Sequence, residues 1–456
     1  MLNKQAIIRE RIISAVIGGA VGDALGVPVE FEERDSFEVE DMIEGGTHEQ
    51  PAGSWSDDTS LTLCLIENII EGGTPETLMK KFSDWEEKDY MTSNGECFGC
   101  GHITWAAIET FRKGTPAAEC GGAKETDNGN GSLMRIAPLV FLNLKLKDFK
   151  SRLTNVEKYS AITHAHPRTV LCCIIYTEYL RQLCLLAKDK AEVNSVKYKA
   201  LAATIKICKK EISDAKYKDE FPHYSRILSS IIISEKRENI QSDGYVVHTL
   251  EAALWCFLNN DNFRNTVLTA VNLGDDTDTI ASIAGTMAGM FYTRSFYEGI
   301  PEEWIDKLAK IDFIKKLCYK FIQTLEPQNT YEHYLKEVKK NGFTFEFVPE
   351  EFKTPELCLE AIKADCFSLS IIPKPPWSEE YDEDIDGGDI FIEGTQFNTM
   401  LKFVPEELKT AELCFTAVKR ENQMKKNSPT PEGFEEVNLN LKYVPETIRK
   451  EVEGAI

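Results

Sequence analysis

A chain of 456 residues, 42% of them hydrophobic, is long enough for more than one core, and 52 basic against 74 acidic residues leave it a net charge of −22. That balance argues against nucleic acid or an anionic membrane as partner, since both need a basic surface. The 13 cysteines are scattered through apolar runs such as Leu171-Cys-Cys-Ile-Ile175, which reads as buried thiols rather than a disulfide framework. A reducing, cytoplasmic location is expected. The N-terminus Met-Leu-Asn-Lys-Gln has no basic region leading into a signal-like core, and the first apolar stretch, Ile12 to Val21, is too short to span a bilayer; export without such a signal stays open.

In chain order, Ile7 to Val21 reads as a helix apolar on most faces. It closes in Gly18-Gly-Ala-Val-Gly22, where glycines predict close packing before a turn into Asp23-Ala-Leu-Gly-Val-Pro-Val-Glu-Phe31. Glu30, between Val29 and Phe31, is either a solvated acid or one that is paired or raised in pKa. Gly53-Ser-Trp-Ser-Asp-Asp-Thr59 then sets Ser56, Asp57 and Asp58 at the start of an apolar helix. Cys97-Phe-Gly-Cys100 has the spacing of half a zinc site or a redox pair, without a second pair at ligand spacing.

Two glycine-rich stretches, Phe98-Gly-Cys-Gly-His-Ile-Thr104 and Gly129-Asn-Gly-Ser-Leu-Met-Arg135, precede helix-like runs; each is either a plain turn or a place where bare N–H groups reach phosphate or ribose. Thr163-His-Ala-His-Pro-Arg168 offers two histidines for polar contact with a ligand or for capping. The lysine-rich stretch from Leu185 to Ser242 is expected to form amphipathic outer helices. Asp243 to Trp255 returns to a buried helix with Tyr245 at its entrance, either a stacking surface for a base or a core aromatic.

Asn272-Leu-Gly-Asp-Asp-Thr-Asp-Thr279 is a second acid and hydroxyl cluster, opening a helix whose small residues Ala281, Ala284, Gly285, Ala288 and Gly289 let neighbours approach closely. One acid suffices to cap a helix. Two like charges about 4 Å apart repel by roughly 4 kcal/mol at an effective dielectric of about 20, so crowded acids at a buried helix start need a counter-charge. A hard divalent cation with oxygen ligands supplies it, and two such clusters suit a binuclear site. Cap and metal both remain open on these segments alone.

The ordered set Val21-Gly-Asp-Ala-Leu-Gly-Val-Pro-Val-Glu-Phe, Trp55-Ser-Asp-Asp-Thr, Gly129-Asn-Gly-Ser-Leu-Met-Arg-Ile-Ala-Pro, Thr163-His-Ala-His-Pro, Gly244-Tyr-Val-Val-His-Thr-Leu-Glu-Ala-Ala-Leu-Trp and Gly274-Asp-Asp-Thr-Asp-Thr resembles the ADP-ribosylglycohydrolase family over about the first 325 residues. The resemblance implies an all-α orthogonal helical bundle with two magnesium ions, manganese being possible. It also implies hydrolysis of the bond between C1 of the distal ribose of ADP-ribose and its acceptor. Carried over, the metal ligands are Ser56, Asp57, Asp58, Asp276, Asp278 and Thr279, with Asp275 left as a capping or supporting acid. Glu30 or Asp57 is the base. Gly99, Gly101, Asn130, Gly131, Ser132, Leu133, Met134 and His164 hold diphosphate and ribose, and Tyr245 lies near the adenine. Ser56 stands where threonine is usual. Gly99 stands where arginine-specific relatives carry an aspartate, which resembles the branch acting on serine-linked, polymeric or acyl-linked ADP-ribose.

Residues 336–456 are expected to form a separate acidic region; 341–456 alone hold 24 acidic and 12 basic residues. Phe347-Val-Pro-Glu-Glu-Phe-Lys-Thr-Pro-Glu-Leu-Cys-Leu-Glu-Ala-Ile-Lys363 returns as Phe403 to Lys419 and begins again at Tyr443, which predicts a small α-helical repeat region following the 1–335 domain. This tail resembles short helical repeats of unassigned function and is expected to bind a partner protein. Asp382, Asp384, Asp386, Gly387 and Glu393 have calcium-loop spacing within an otherwise solvated insert. The alternative to a hydrolase is an inactive ADP-ribose-binding module or a scaffold.

Overall fold

The computed structural model describes residues 4–186, 193–293, 298–325, 331–340 and 352–364, with isolated positions at 345, 348, 391–392, 395–396, 445 and 449. Residues 7–325 form one compact helical unit, and residues 1–6 and 326–456 belong to a second, so that α1 enters the first unit at Ile7. The acidic insert and the later repeat copies lie outside the described residues, apart from a two-residue strand pair, Phe391–Ile392 with Thr395–Gln396.

The first unit contains α1 (Lys4–Gly26), α2 (Asp57–Ile70), α3 (Pro75–Lys88), α4 (His102–Arg112), α5 (Leu139–Asn143), α6 (Phe149–Ser160), α7 (Pro167–Leu186), α8 (Val193–Glu211), α9 (Ala215–Lys218), α10 (Ser225–Leu228), α11 (Val246–Asn259), α12 (Phe263–Val271), α13 (Thr277–Phe291), α14 (Glu302–Lys307) and α15 (Ile311–Leu325), joined by short 3-10 turns. The fold is all-α, as expected. Its axis is the pair α1 and α13. Gly18 lies against the Gly285 carbonyl, Gly22 against that of Ala281 and Gly26 against the Asp278 backbone, so the two helices run antiparallel with their main chains touching. The small residues along both segments are what permit this approach.

The antiparallel contact brings the C-terminal end of α1 to the N-terminal end of α13, where the Thr277 hydroxyl donates to the Gly26 carbonyl at 2.8 Å. The start of α2 reaches the same point: Asp23, one turn before the end of α1 and fully buried, accepts from the Ser56 and Thr59 N–H groups and from the Thr59 hydroxyl at 2.6–3.1 Å. Trp55, also buried, donates to the Ala309 carbonyl at 2.9 Å and anchors that start against the α14–α15 turn. Two helix N-termini and one C-terminus thus meet at one locus.

Three expectations change. The apolar run Ile12 to Val21 is part of a longer helix, because Asp23 and the polar N-terminal turns are helical as well; Ile7–Val29 and Pro167–Leu186 are long and apolar enough to cross a membrane, with 94% and 78% of their most apolar windows buried inside the fold. The stretch from 185 to 242 is not purely an outer layer. Lys197 of α8 is buried, donating to the Phe257, Leu258 and Asn260 carbonyls at the end of α11 and to the Tyr292 hydroxyl, and burial lowers its pKa to about 8. The boundary expected at 335 falls inside α16 (Tyr331–Lys340), which packs within the second unit on α17 (Pro355–Ala364). There Tyr334 meets Phe352 at 5.2 Å between ring centroids, and Thr354 caps α17 with its hydroxyl on the Leu357 N–H at 3.2 Å.

Gly285→Ala tests the helix pair. Alanine in an exposed helix gains about 1 kcal/mol over glycine, but a methyl here meets the Gly18 carbonyl. A net loss of about 1–3 kcal/mol is expected in urea denaturation, and a neutral or stabilising result would refute the close contact.

Candidate active site

At this meeting of helix ends lies a buried group of acids. Ser56 caps α2, its hydroxyl accepting from the Asp58 N–H at 3.3 Å, and Asp57 and Asp58 form the first helical turn. Asp276 occupies the N-cap position of α13 without a side-chain capping bond, and Asp278 stands in its first turn. The 3-10 turn Val27–Val29 follows α1 directly and delivers Glu30 to the mouth of α13. One carboxylate oxygen each of Glu30, Asp276 and Asp278 lies within 4.8 Å of the others. Thr279 donates to Asp58 Oδ2 at 3.1 Å and so joins the two clusters.

Ionising all these groups is unfavourable. At 4.8 Å and an effective dielectric near 20, each charged pair costs about 3 kcal/mol. Burial, then the neighbouring acids, pushes Asp57, Asp58 and Asp278 well above the usual carboxylate range, and burial followed by the Glu30 charge raises Asp276 to about 6. Asp23 is raised to about 6 by burial, even though its hydrogen bonds to Ser56 and Thr59 act the other way. Asp58 Oδ1 is buried without a hydrogen-bond partner. Helix caps explain Ser56 and Asp23. They do not explain five further acids in one pocket with an orphan oxygen. An all-oxygen donor set of this kind fits a hard divalent cation, for which Asp58 Oδ1 is a ready ligand atom.

The other expected site residues fall into two groups. Asn130 lies at the centre, donating to Asp276 Oδ2 at 2.5 Å and to the Thr249 hydroxyl at 3.0 Å. Gly99, with φ +82, lies so close to Asp57 that a Cβ would stand 2.8 Å from Oδ1, and Gly101 caps α4 with open space around it. Gly131 passes over Thr104, whose buried hydroxyl has no partner, and over the His164 ring. Tyr245 is half-buried at the start of α11, edge-on to His248 at 4.8 Å, with the Arg168 guanidinium donating to its hydroxyl at 3.2 Å.

The second group serves the interior. Ser132 shares a hydrogen bond with Ser160 at 2.8 Å, Leu133 and Met134 are core side chains, and their N–H groups both go to the Asn130 carbonyl. His164 lies beneath the glycine turn, and burial lowers its pKa to about 3, so it is a neutral ring there. His166 caps α7 by accepting from the Arg168 N–H at 3.2 Å. Asp275 is exposed, at φ +61, and braces the Glu30 segment: the Phe31 N–H donates to its carbonyl at 2.7 Å and its own N–H donates to the Glu32 carbonyl at 2.9 Å. Cys97 and Cys100 are free thiols whose pKa values burial pushes up, Cys97 to about 12, which is the wrong direction for thiolate chemistry.

Sequence reasoning passed over Asp23, Arg34 and His48. Asp23 had a signal, a lone acid inside an apolar helix. Arg34 donates to the Leu273, Arg237 and Ile240 carbonyls and to the Ser242 hydroxyl, pinning the chain after Glu30 to the α13 entrance. Nothing in its local sequence marks that role.

The sequence profile described as ADP-ribosylglycohydrolase matches residues 4–330. The chain belongs to the ADP-ribosylglycohydrolase family. Curated relatives include an ADP-ribosylarginine hydrolase, Tri1, of Serratia proteamaculans, 32% identical over 67% of this chain and 76% of its own length, and one of Pseudomonas putida, 33% identical over 68% and 77%. The ADP-ribosyl-[dinitrogen reductase] glycohydrolase of Rhodospirillum rubrum is 24% identical over 66% and 91%. A solved chain titled "ADP-ribosylglycohydrolase-related protein complex" superposes with a TM-score of 0.55 and 28% identity, covering 70% of this chain and 98% of its own. The family assignment makes this chain a glycohydrolase, and the pocket of acids lies within the matched region. Residues 338–375 match a domain of unknown function, DUF4116.

The acids set a pH dependence. Asp23 and Asp276 have folded pKa values of about 6 against an ordinary 3.8, so between those values the unfolded chain holds fewer protons and the metal-free fold loses stability as pH rises. Cation binding needs ionised ligands and grows over the same range. The gain in melting temperature on adding Mg2+ is expected to increase between about pH 5 and pH 7.5. In Asp58→Asn that gain is expected to vanish, while the metal-free variant melts higher than wild type at the upper pH.

Proposed function

We propose that this glycohydrolase removes ADP-ribose from modified protein side chains by a divalent-cation-dependent hydrolysis, with two magnesium ions, or manganese, held by Ser56, Asp57, Asp58, Asp276, Asp278 and Thr279. The observation that carries the reading is the convergence of Glu30, Asp57, Asp58, Asp276 and Asp278 on one buried pocket, with an orphan oxygen on Asp58. Bound cations would neutralise the acids, orient the ribose hydroxyls and hold a water for attack.

The chain's own groups divide the remaining work. The carboxylates leave the pocket electronegative where C1 of the distal ribose gains oxocarbenium character as its bond to the acceptor breaks. The acceptor departs with the bonding electrons and is protonated, so that the water's OH ends on C1 and its proton, by way of the base and solvent, on the acceptor. Glu30, at the edge of the acids and held from outside the pocket, takes the proton of the attacking water; Asp57 is the second candidate for that role. Asn130 fixes Asp276, Gly99 and Gly131 let the backbone pass close to Asp57 and His164, and the open space at Gly101 leaves room for diphosphate and ribose. Tyr245, braced by Arg168, offers a face to the adenine.

For the acceptor, arginine is the first substrate to test, because relatives at 32% and 33% identity are named ADP-ribosylarginine hydrolases. Gly99 favours the serine-, acyl- or polymer-linked alternatives. A reducing compartment suits the free thiols of all 11 described cysteines, and we assign the acidic repeat region to recruitment of a protein partner.

The test is ADP-ribose release from arginine-, serine-, acyl- and polymer-linked substrates with and without Mg2+. Release from at least one linkage is expected, lost with chelator and in Asp276→Ala, and lowered about 10²–10⁴-fold in kcat by Glu30→Gln. Binding of ADP-ribose with no release from any linkage would replace this reading with that of a binding module.

A further inference from the structure

His48 belongs to none of the acid or glycine motifs, yet its ring touches the proposed base. Its Nε2 pairs with Glu30 Oε2, and both side chains are enclosed, 17% and 8% exposed. On either side stand Phe31, 6.3 Å away between ring centroids, and Phe98, 5.2 Å away. The loop that carries it is tied to the same residue by the Thr47 hydroxyl, which donates to the Glu30 carbonyl at 2.6 Å; Gly46 packs on the Pro28 carbonyl, and the Gly45 N–H closes the loop on the Gln50 carbonyl at 2.8 Å. Glu30 is therefore gripped at backbone and carboxylate by one short loop.

The electrostatics give this grip a purpose. Glu30 faces Asp276 and Asp278, like charges that repel it out of the pocket. Phe31, at φ +69 and 68% exposed, turns largely to solvent and leaves the grip on Glu30 mainly to His48. An imidazole N–H donated to Glu30 Oε2 offsets the repulsion. The Phe98 contact extends the grip to the turn carrying Gly99, which packs on Asp57, so one ring links the Glu30 turn to the loop over the other candidate base.

We propose that His48 is a positioning residue for Glu30, holding its carboxylate against Asp276 and Asp278 so that it can serve both the cation site and the attacking water. This rests on the hydrolase reading for its catalytic part, and the test separates the two. The variants are His48→Ala, His48→Gln, Glu30→Gln and the double variant His48→Ala with Glu30→Gln, in the full chain. The readouts are kcat and KM on the linkage that is cleaved, ADP-ribose affinity by calorimetry, and Mn2+ affinity by electron paramagnetic resonance.

His48→Ala is expected to lose about 10–100-fold in kcat and in Mn2+ affinity, the scale of removing a group that orients a ligand. KM and ADP-ribose affinity stay within about twofold. His48→Gln, which keeps an N–H for Glu30, recovers most of the loss, and in the Glu30→Gln background His48→Ala changes neither quantity further. Losses that multiply in the double variant, or a His48→Ala protein with wild-type kcat and Mn2+ affinity, overturn the proposal. If wild type cleaves no linkage, the hydrolase reading fails by itself. The Mn2+ affinities then decide: equal, non-additive losses uphold the positioning role and wild-type affinity in His48→Ala refutes it.

Discussion

Everything at the site depends on how closely α1 and α13 approach. Their glycines and alanines put main chain against main chain, with Gly18 on Gly285 and Gly22 on Ala281, and the antiparallel run then fixes what meets at the far end. A pair of larger side chains anywhere along this seam would part the helices and carry Glu30 away from Asp276 and Asp278. The constraint is steric, but its product is electrostatic. Acids that would avoid one another in a free chain are held within 4.8 Å by a backbone contact lined with small residues.

Asp23 shows how the fold tolerates such crowding. Its carboxylate serves the α2 start as a cap supplied from another helix, taking the Ser56 and Thr59 N–H groups, and leaves Asp57 and Asp58 without that duty. The division between acids that cap and acids that face the pocket separates ordinary helix chemistry from a cation site. Ser56 and Asp23 act as caps. Asp58, with one oxygen on Thr279 and the other on nothing, does not.

Much of this was legible in the sequence. Small residues at helical spacing announced close packing, and clusters of acid and hydroxyl residues announced two helix starts with more charge than a cap needs. The family motifs added the pairing of those starts. What local sequence could not carry were contacts made across the fold. His48 and Arg34 look like surface residues in their own segments; one closes on Glu30 through a loop folded back on the chain, and the other gathers carbonyls more than 200 positions away. Ser132, Leu133 and Met134 show the reverse case, since a glycine-rich motif can fall beside a ligand while half of its side chains face the core. Lys197 shows why a lysine-rich segment is not always an outer one: the open carbonyls at the end of α11 give a buried ammonium enough acceptors.

The same seam has a consequence for how the protein is made. Gly18 and Gly285 lie far apart along the chain, and the acids of α13 are made long after Glu30 and those of α2. At about 5–20 residues per second, synthesis takes some 15–60 s to pass from α1 to α13. Throughout that interval an apolar 23-residue helix waits without its partner. The contact of Glu30 with Asp276 and Asp278 therefore cannot form before α13 has been made.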